Sequence, residues 1–148
     1  AAGLGAVGAG PATSITVAFV SRLTERKQLP SQVRACHILL KHRELKEKMD
    51  KKARARGPYT RSQADAEAAL LSALEEISDQ KSFATVCRRI SECQTAQAPL
   101  ASCGDLGWLK PKEFGDDPVT AAAAALDVGE LSDLVSSPRG VHVILRIG

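Results

Sequence analysis

The chain has 148 residues, enough for one domain with its own hydrophobic core, and 44% hydrophobic against 25% charged residues is the balance of a soluble globular protein. A net charge of +3 gives no reason to invoke nucleic acid, and no apolar run approaches the ~20 residues of a membrane span. The four cysteines (Cys36, Cys87, Cys93 and Cys103) form no C-x-x-C pair and no regular disulfide spacing, which points to reduced thiols in a cytoplasmic or nuclear setting.

Residues 1–14 are almost all Ala, Gly, Pro, Ser and Thr. They lack the apolar surface that would offset the cost of ordering them, so residues 1–31 are expected to be a flexible leader or linker. Within it, Ile15 to Val20 is a short apolar run able to pair as an edge strand. The absence of an acid before Glu25 leaves organelle targeting by the leader open. Order is expected from Gln32, in one domain over 32–148. Val33 to Lys41 is dense in apolar and β-branched residues and predicts a strand. Its parity puts Val33, Ala35, His37, Leu39 and Lys41 on one face and Arg34, Cys36, Ile38 and Leu40 on the other.

Charge then becomes uneven. Between Lys41 and Arg61 nine Lys/Arg stand against three Asp/Glu, a net +6 in a chain whose total is +3. Arg43 to Lys52 fits a polar helix, and the remainder, through Gly57-Pro58, reads as loop. Ser62-Gln63-Ala64-Asp65 has the form of a helix cap, and Ala66, Ala69, Leu70, Ala73, Leu74 and Ile77 follow it at helical spacing. Phe83, Val86, Cys87 and Ile90 mark a second helix ending near Glu92. A short strand at Leu106–Leu109 follows. A third helix opens at Pro118 and presents Val119, Ala122, Ala123 and Leu126 before stopping at Gly129. Gly140 to Ile147 closes the chain as a strand with Val141, Val143, Leu145 and Ile147 opposed to His142, Ile144 and Arg146. The pattern is that of an α+β domain.

Four of these segments together resemble the parvulin family of peptidyl-prolyl isomerases. Val33-Arg34-Ala35-Cys36-His37-Ile38-Leu39-Leu40-Lys41 is similar to the family's first strand, and Gly104-Asp105-Leu106-Gly107 to its G-x-D-L-G segment type. Leu126-x-x-Gly129-Glu130-Leu131-Ser132 is similar to its A-L-x-x-G-E-x-S turn, and Gly140-Val141-His142-Val143-Ile144 to its last strand. The resemblance covers about 115 residues in order and finds nothing like a WW module before residue 32. It implies an FKBP-like fold: a four-stranded antiparallel sheet with about four helices in the order β-α-α-α-β-α-β-β. Lys41, the long basic loop and the Phe83-x9-Cys93 spacing are similar to the branch that acts on phospho-Ser/Thr-Pro bonds. The loop is longer than that branch's, and four extra residues separate Cys93 from Gly104.

The activity implied is rotation about X-Pro bonds, which needs no metal, cofactor or covalent step. The barrier of ~18–20 kcal/mol is amide resonance, and it falls when the twisted amide is bound better than either planar isomer. The resemblance places a proline socket at Leu106, Phe114 and Val119, a polar cluster at His37, Cys93, Ser137 and His142, and a phosphate grip at Lys41, Arg54 and Arg56. The residues themselves leave some roles open. The two histidines either scaffold the site or transfer protons. Cys93 is either a polarising thiolate or a small wall residue, and Val119 also suits plain helix packing. The implied partners are proline-containing proteins phosphorylated before proline, met by a monomer. A parvulin without phosphate preference, acting as a general folding helper, or a weakly catalytic module for acidic partners are the competing expectations.

Overall fold

A computed structural model describes residues 16–18, 29–45 and 60–148. Its elements run β1 (Thr16–Ala18), β2 (Val33–Leu40), α1 (Gln63–Leu74), α2 (Gln80–Ile90), β3 (Asp105–Leu109), α3 (Pro111–Phe114), α4 (Pro118–Ala125), β4 (Glu130–Ser132), β5 (Val135–Ser137) and β6 (Gly140–Arg146). Two 3-10 turns, Gln94–Gln97 and Leu100–Ser102, lie between α2 and β3.

The expected α+β architecture holds, with a larger sheet than the four antiparallel strands expected. Among the described residues six strands lie in one sheet, in the order β1-β4-β6-β2-β3 with β5 also paired to β6. The two short strands β4 and β5 escape a reading by alternation because three residues are too few to show a period of two. Of the strands in the sheet, β1 alone pairs in parallel, Thr16 to Glu130 through Ala18 to Ser132, so a piece of the leader does join the sheet edge. The expected polar helix at Arg43–Lys52 lies mostly outside the described residues; Arg43 and Glu44 form a turn. A short helix, α3, is present where none was expected, started by Pro111 at its first turn.

Parity along β2 divides the core into two layers. Cys36, Ile38 and Leu40, with Val141, Val143 and Leu145 of β6, pack beneath Leu70, Phe83, Val86 and Cys87 of α1 and α2. The opposite face joins Val33, Ala35 and Ile144 to Val119, Ala122, Ala123 and Leu126 of and beyond α4. Both helical layers are started by capping side chains. Ser62 Oγ accepts from Asp65 N at 3.1 Å, and Asp79 with Ser82 forms a reciprocal box in which Ser82 replaces the usual Glu or Gln. Asp117 caps α4 through Thr120, and Pro118 takes the first turn. The helix stops at Ala125, earlier than Gly129, because Leu126 is already extended and its carbonyl accepts from Arg146 Nη1 at 2.6 Å.

Candidate active site

The α4-side face carries both strand histidines. β2 and β6 are antiparallel neighbours with His37 opposite Ile144 and Leu39 opposite His142. The two imidazoles are therefore diagonal on one face, within reach of each other across the strands. Their Nδ1 atoms lie 3.0 Å apart and the rings stack with centroids 5.2 Å apart. His142 Nε2 is 2.6 Å from Ser137 Oγ, and the Arg139 backbone N–H donates to that hydroxyl at 3.1 Å. The cluster is thus a chain: the turn backbone, Ser137, His142, His37. His37 Nε2, at its far end, is one of two buried side-chain polar atoms without a hydrogen-bond partner among the described residues; Thr95 Oγ1 is the other.

Burial decides the charge of this chain. Both rings are almost completely excluded from solvent. Desolvation pushes His37 down to about 4, helped by the positive charge of Arg139 and opposed by Asp117. His142 is pushed lower still, by burial first, then by its neighbour His37 and by Arg139. Both imidazoles are neutral at physiological pH, so one Nδ1 donates and the other accepts in the contact between them. Neither serves as a cationic acid near neutrality.

Irregular chain holds the free side of β2 next to the histidines. His37 N donates to Gly104 O at 2.9 Å, Leu39 N to Ser91 Oγ at 3.0 Å, and Glu92 N to Leu39 O at 2.7 Å. Cys93 follows directly, half-buried at the start of the first 3-10 turn, with its N–H 3.4 Å from the same Ser91 hydroxyl. Gly104 must be glycine: its φ is +81°, and a Cβ there would lie 2.6 Å from the His37 carbonyl oxygen. Cys87 packs behind β2, its Sγ 3.5 Å from that carbonyl, and burial raises its pKa. Ser91, Glu92 and Gly104 support the site without having been picked out as doing so. The Gly104-Asp105 motif carried part of that signal; Ser91 and Glu92, single polar residues ending a helix, carried none.

The proposed socket residues are distributed unequally. Leu106 packs against the α4-side core, and Val119 lies inside it at 1% exposure. Phe114, at the end of α3, is 59% exposed and stands apart from that cluster. Arg34 clamps β3 to β2 through Asp105, Nε to Oδ2 at 3.1 Å, which fixes the strand that carries Leu106. That guanidinium also holds the Asp105 carboxyl below its ordinary range.

Lys41 follows β2 on the parity of His37. Its backbone N–H donates to Glu92 Oε1 at 2.7 Å and its carbonyl accepts from Arg61 Nη1 at 3.1 Å, while Arg61 and Glu92 form an ion pair. Arg43 N donates to Arg61 O at 2.9 Å, and Glu44 Oε2 accepts from Gln63 N. The two ends of the basic stretch are thereby stitched together at the end of β2. Arg54 and Arg56 lie outside the described residues.

Comparison with known proteins agrees with this layout. Residues 37–148 match the family model of the rotamase, PPIC-type PPIase domain. The chain is 33% identical over 119 residues to the peptidyl-prolyl cis-trans isomerase ESS1 of Saccharomyces cerevisiae, covering 80% of this chain and 67% of that protein. It is 34% identical over 120 residues to the peptidyl-prolyl cis-trans isomerase Pin1 of Malus domestica, covering 80% and 95%. Among solved structures it is similar to the peptidyl-prolyl isomerase ESS1 of Candida albicans, with a TM-score of 0.64 at 27% identity; the match covers 80% of this chain and 63% of that one.

Proposed function

This chain belongs to the PPIC-type rotamase family and is a peptidyl-prolyl cis-trans isomerase, and on that premise we propose that it prefers bonds in which a phosphorylated Ser or Thr precedes proline. One observation carries the preference. The described ends of the net +6 stretch are bonded to each other and to Glu92 at the end of β2, the strand that holds His37, which brings Lys41, Arg43 and Arg61 to that end of the strand. A phosphate monoester carries about −1.5 to −2 charges near neutrality and is well matched to such a field. A charge run on an unrelated helix face would have no such anchorage.

The same geometry supports a non-covalent mechanism. The prolyl ring rests on Leu106, the partly buried edge of the α4-side core. The peptide carbonyl turns over a floor of neutral, mutually hydrogen-bonded imidazoles, with Cys93 as a half-buried wall. Rotation needs no proton transfer, and imidazoles held neutral by burial supply none. They keep the floor rigid and its dipoles fixed, which favours the twisted amide over both planar isomers.

Turnover of matched pSer-Pro, Glu-Pro and Ala-Pro peptides tests the proposal. The expected order of kcat/KM is pSer-Pro, then Glu-Pro, then Ala-Pro, with the spread shrinking as salt rises. Equal rates on pSer-Pro and Ala-Pro would replace it with a general folding activity. Replacing Lys41 by Ala should lower the pSer-Pro to Ala-Pro ratio by about tenfold, the scale of one charge-assisted contact.

A further inference from the structure

Another cation stands near the end of β2, on a turn distant in sequence from the stretch Lys41 to Arg61. Leu40 faces Val141, and a Cβ on Gly140 would lie 2.5 Å from the Leu40 carbonyl oxygen. The β5–β6 turn therefore rests directly on the end of β2 from which Lys41 follows. Arg139 occupies that turn, so Arg139 and Lys41 flank one end of the β2–β6 pair.

Arg139 is held from two directions with different strengths. Its backbone N–H fixes Ser137 Oγ, the start of the Ser137–His142–His37 chain. Its guanidinium meets Asp117 at 3.4 Å, Nη2 to Oδ1, with both side chains more than one-third exposed. That is long against the 2.7–2.9 Å of a well-formed charge-assisted bond. The other Asp117 oxygen is engaged by the N–H and hydroxyl of Thr120 at the start of α4. A guanidinium has five N–H donors in a fixed fork, and among the described residues its single long contact leaves most of that capacity unspent. Its charge also reaches the imidazole floor, since Arg139 disfavours protonation of both His37 and His142.

We propose that Arg139 is a specificity-determining residue whose guanidinium receives the phosphate of the residue preceding the substrate proline, exchanging its long contact with Asp117 for that anion. The inference rests on the phosphate preference proposed above. Asp117 acts in the free enzyme as a weak internal stand-in for the substrate anion. It holds the fork at the rim while its own main task is to cap α4.

The test compares wild type, Arg139→Gln, Arg139→Lys and Asp117→Asn on matched pSer-Pro and Ala-Pro peptides. Asparagine caps helices about as well as aspartate, so Asp117→Asn should keep α4 formed, and thermal melting of each variant checks folding directly. Arg139→Gln should lower the pSer-Pro to Ala-Pro ratio of kcat/KM by about tenfold, and Arg139→Lys by less, because charge survives while the fork is lost. Asp117→Asn should raise the ratio, because a carboxylate no longer competes with or repels the phosphate. If the ratio is unchanged in Arg139→Gln while wild type prefers pSer-Pro, the assignment of Arg139 is wrong and the phosphate preference stands. If Asp117→Asn lowers the ratio as Arg139→Gln does, the pair is a structural tie and not an anion exchange. Equal wild-type rates on both peptides overturn the preference itself.

Discussion

His37 and His142 are shut away from water, and burial outweighs the Asp117 carboxylate that alone opposes it at His37, which fixes their chemistry. An unfolded histidine takes up a proton near pH 6.5, whereas folded His37 does so only near 4. Between those values the unfolded state binds more protons, so acid favours unfolding. The stability tied to the neutral ring is complete above about pH 6.5 and is lost as pH falls towards 4, at up to about 1.4 kcal/mol per pH unit for each ring. Urea midpoints should therefore drop between pH 7 and 5, and the ring protons of both histidines should show no titration above pH 5.5. A ring titrating near 6.5 would overturn the neutral floor. Catalysis separates from this: Ala-Pro turnover should be flat from pH 6 to 8, while pSer-Pro turnover should fall as the phosphate loses its second charge near pH 6. At this scale the shared face of the two histidines was legible, because parity along two strands depends only on residue order. The contacts of Arg139 were not, since they join residues 22 apart through a turn whose geometry no periodicity announces.

The elements around β2 show how regular and irregular chain divide the work. Periodic apolar residues announce α1 and α2, and they pack where that spacing directs them. The segment between α2 and β3 has no period, yet it supplies the bonds to His37, Leu39 and Lys41 that continue the side of β2 beyond its pairing with β3. Gly104 is its tightest point. Gly104→Ala would face both a φ of +81° and contacts of 2.6 Å to His37 O and 2.8 Å to Cys87 Sγ. It should lower stability by at least about 2 kcal/mol, at the upper side of the strain expected for such backbone. Gly107→Ala is the matched control: its φ is +74°, but a Cβ there meets nothing within 4 Å, so its loss should be about 1 kcal/mol. Equal melting temperatures for the two variants would show that the fit around Gly104 is not what holds His37.

For the whole molecule, the sheet has two ends with different cover. At one end β1 lies along β4 in parallel register. Without it β4 would present unpaired N–H and C=O groups, which invite pairing between chains. Deletion of residues 1–28 should lower stability by about 1–3 kcal/mol, the worth of two or three backbone hydrogen bonds, and should increase self-association on sizing columns. Unchanged melting and mass would mean the leader strand adds nothing to the fold. Short apolar runs such as Ile15–Val20 signal that a strand is possible; which edge receives it depends on contacts over more than a hundred residues. The stitched base of the basic stretch bears on a different quantity, the cost of ordering side chains. Arg43 Nη1 donates to Thr60 O, Arg61 Nη1 donates to Lys41 O, and Arg61 pairs with Glu92, so both guanidinium groups are held in place by the protein itself. Immobilising a long side chain on binding costs about 0.5–1.5 kcal/mol, and an anion that meets groups held in advance is spared that cost.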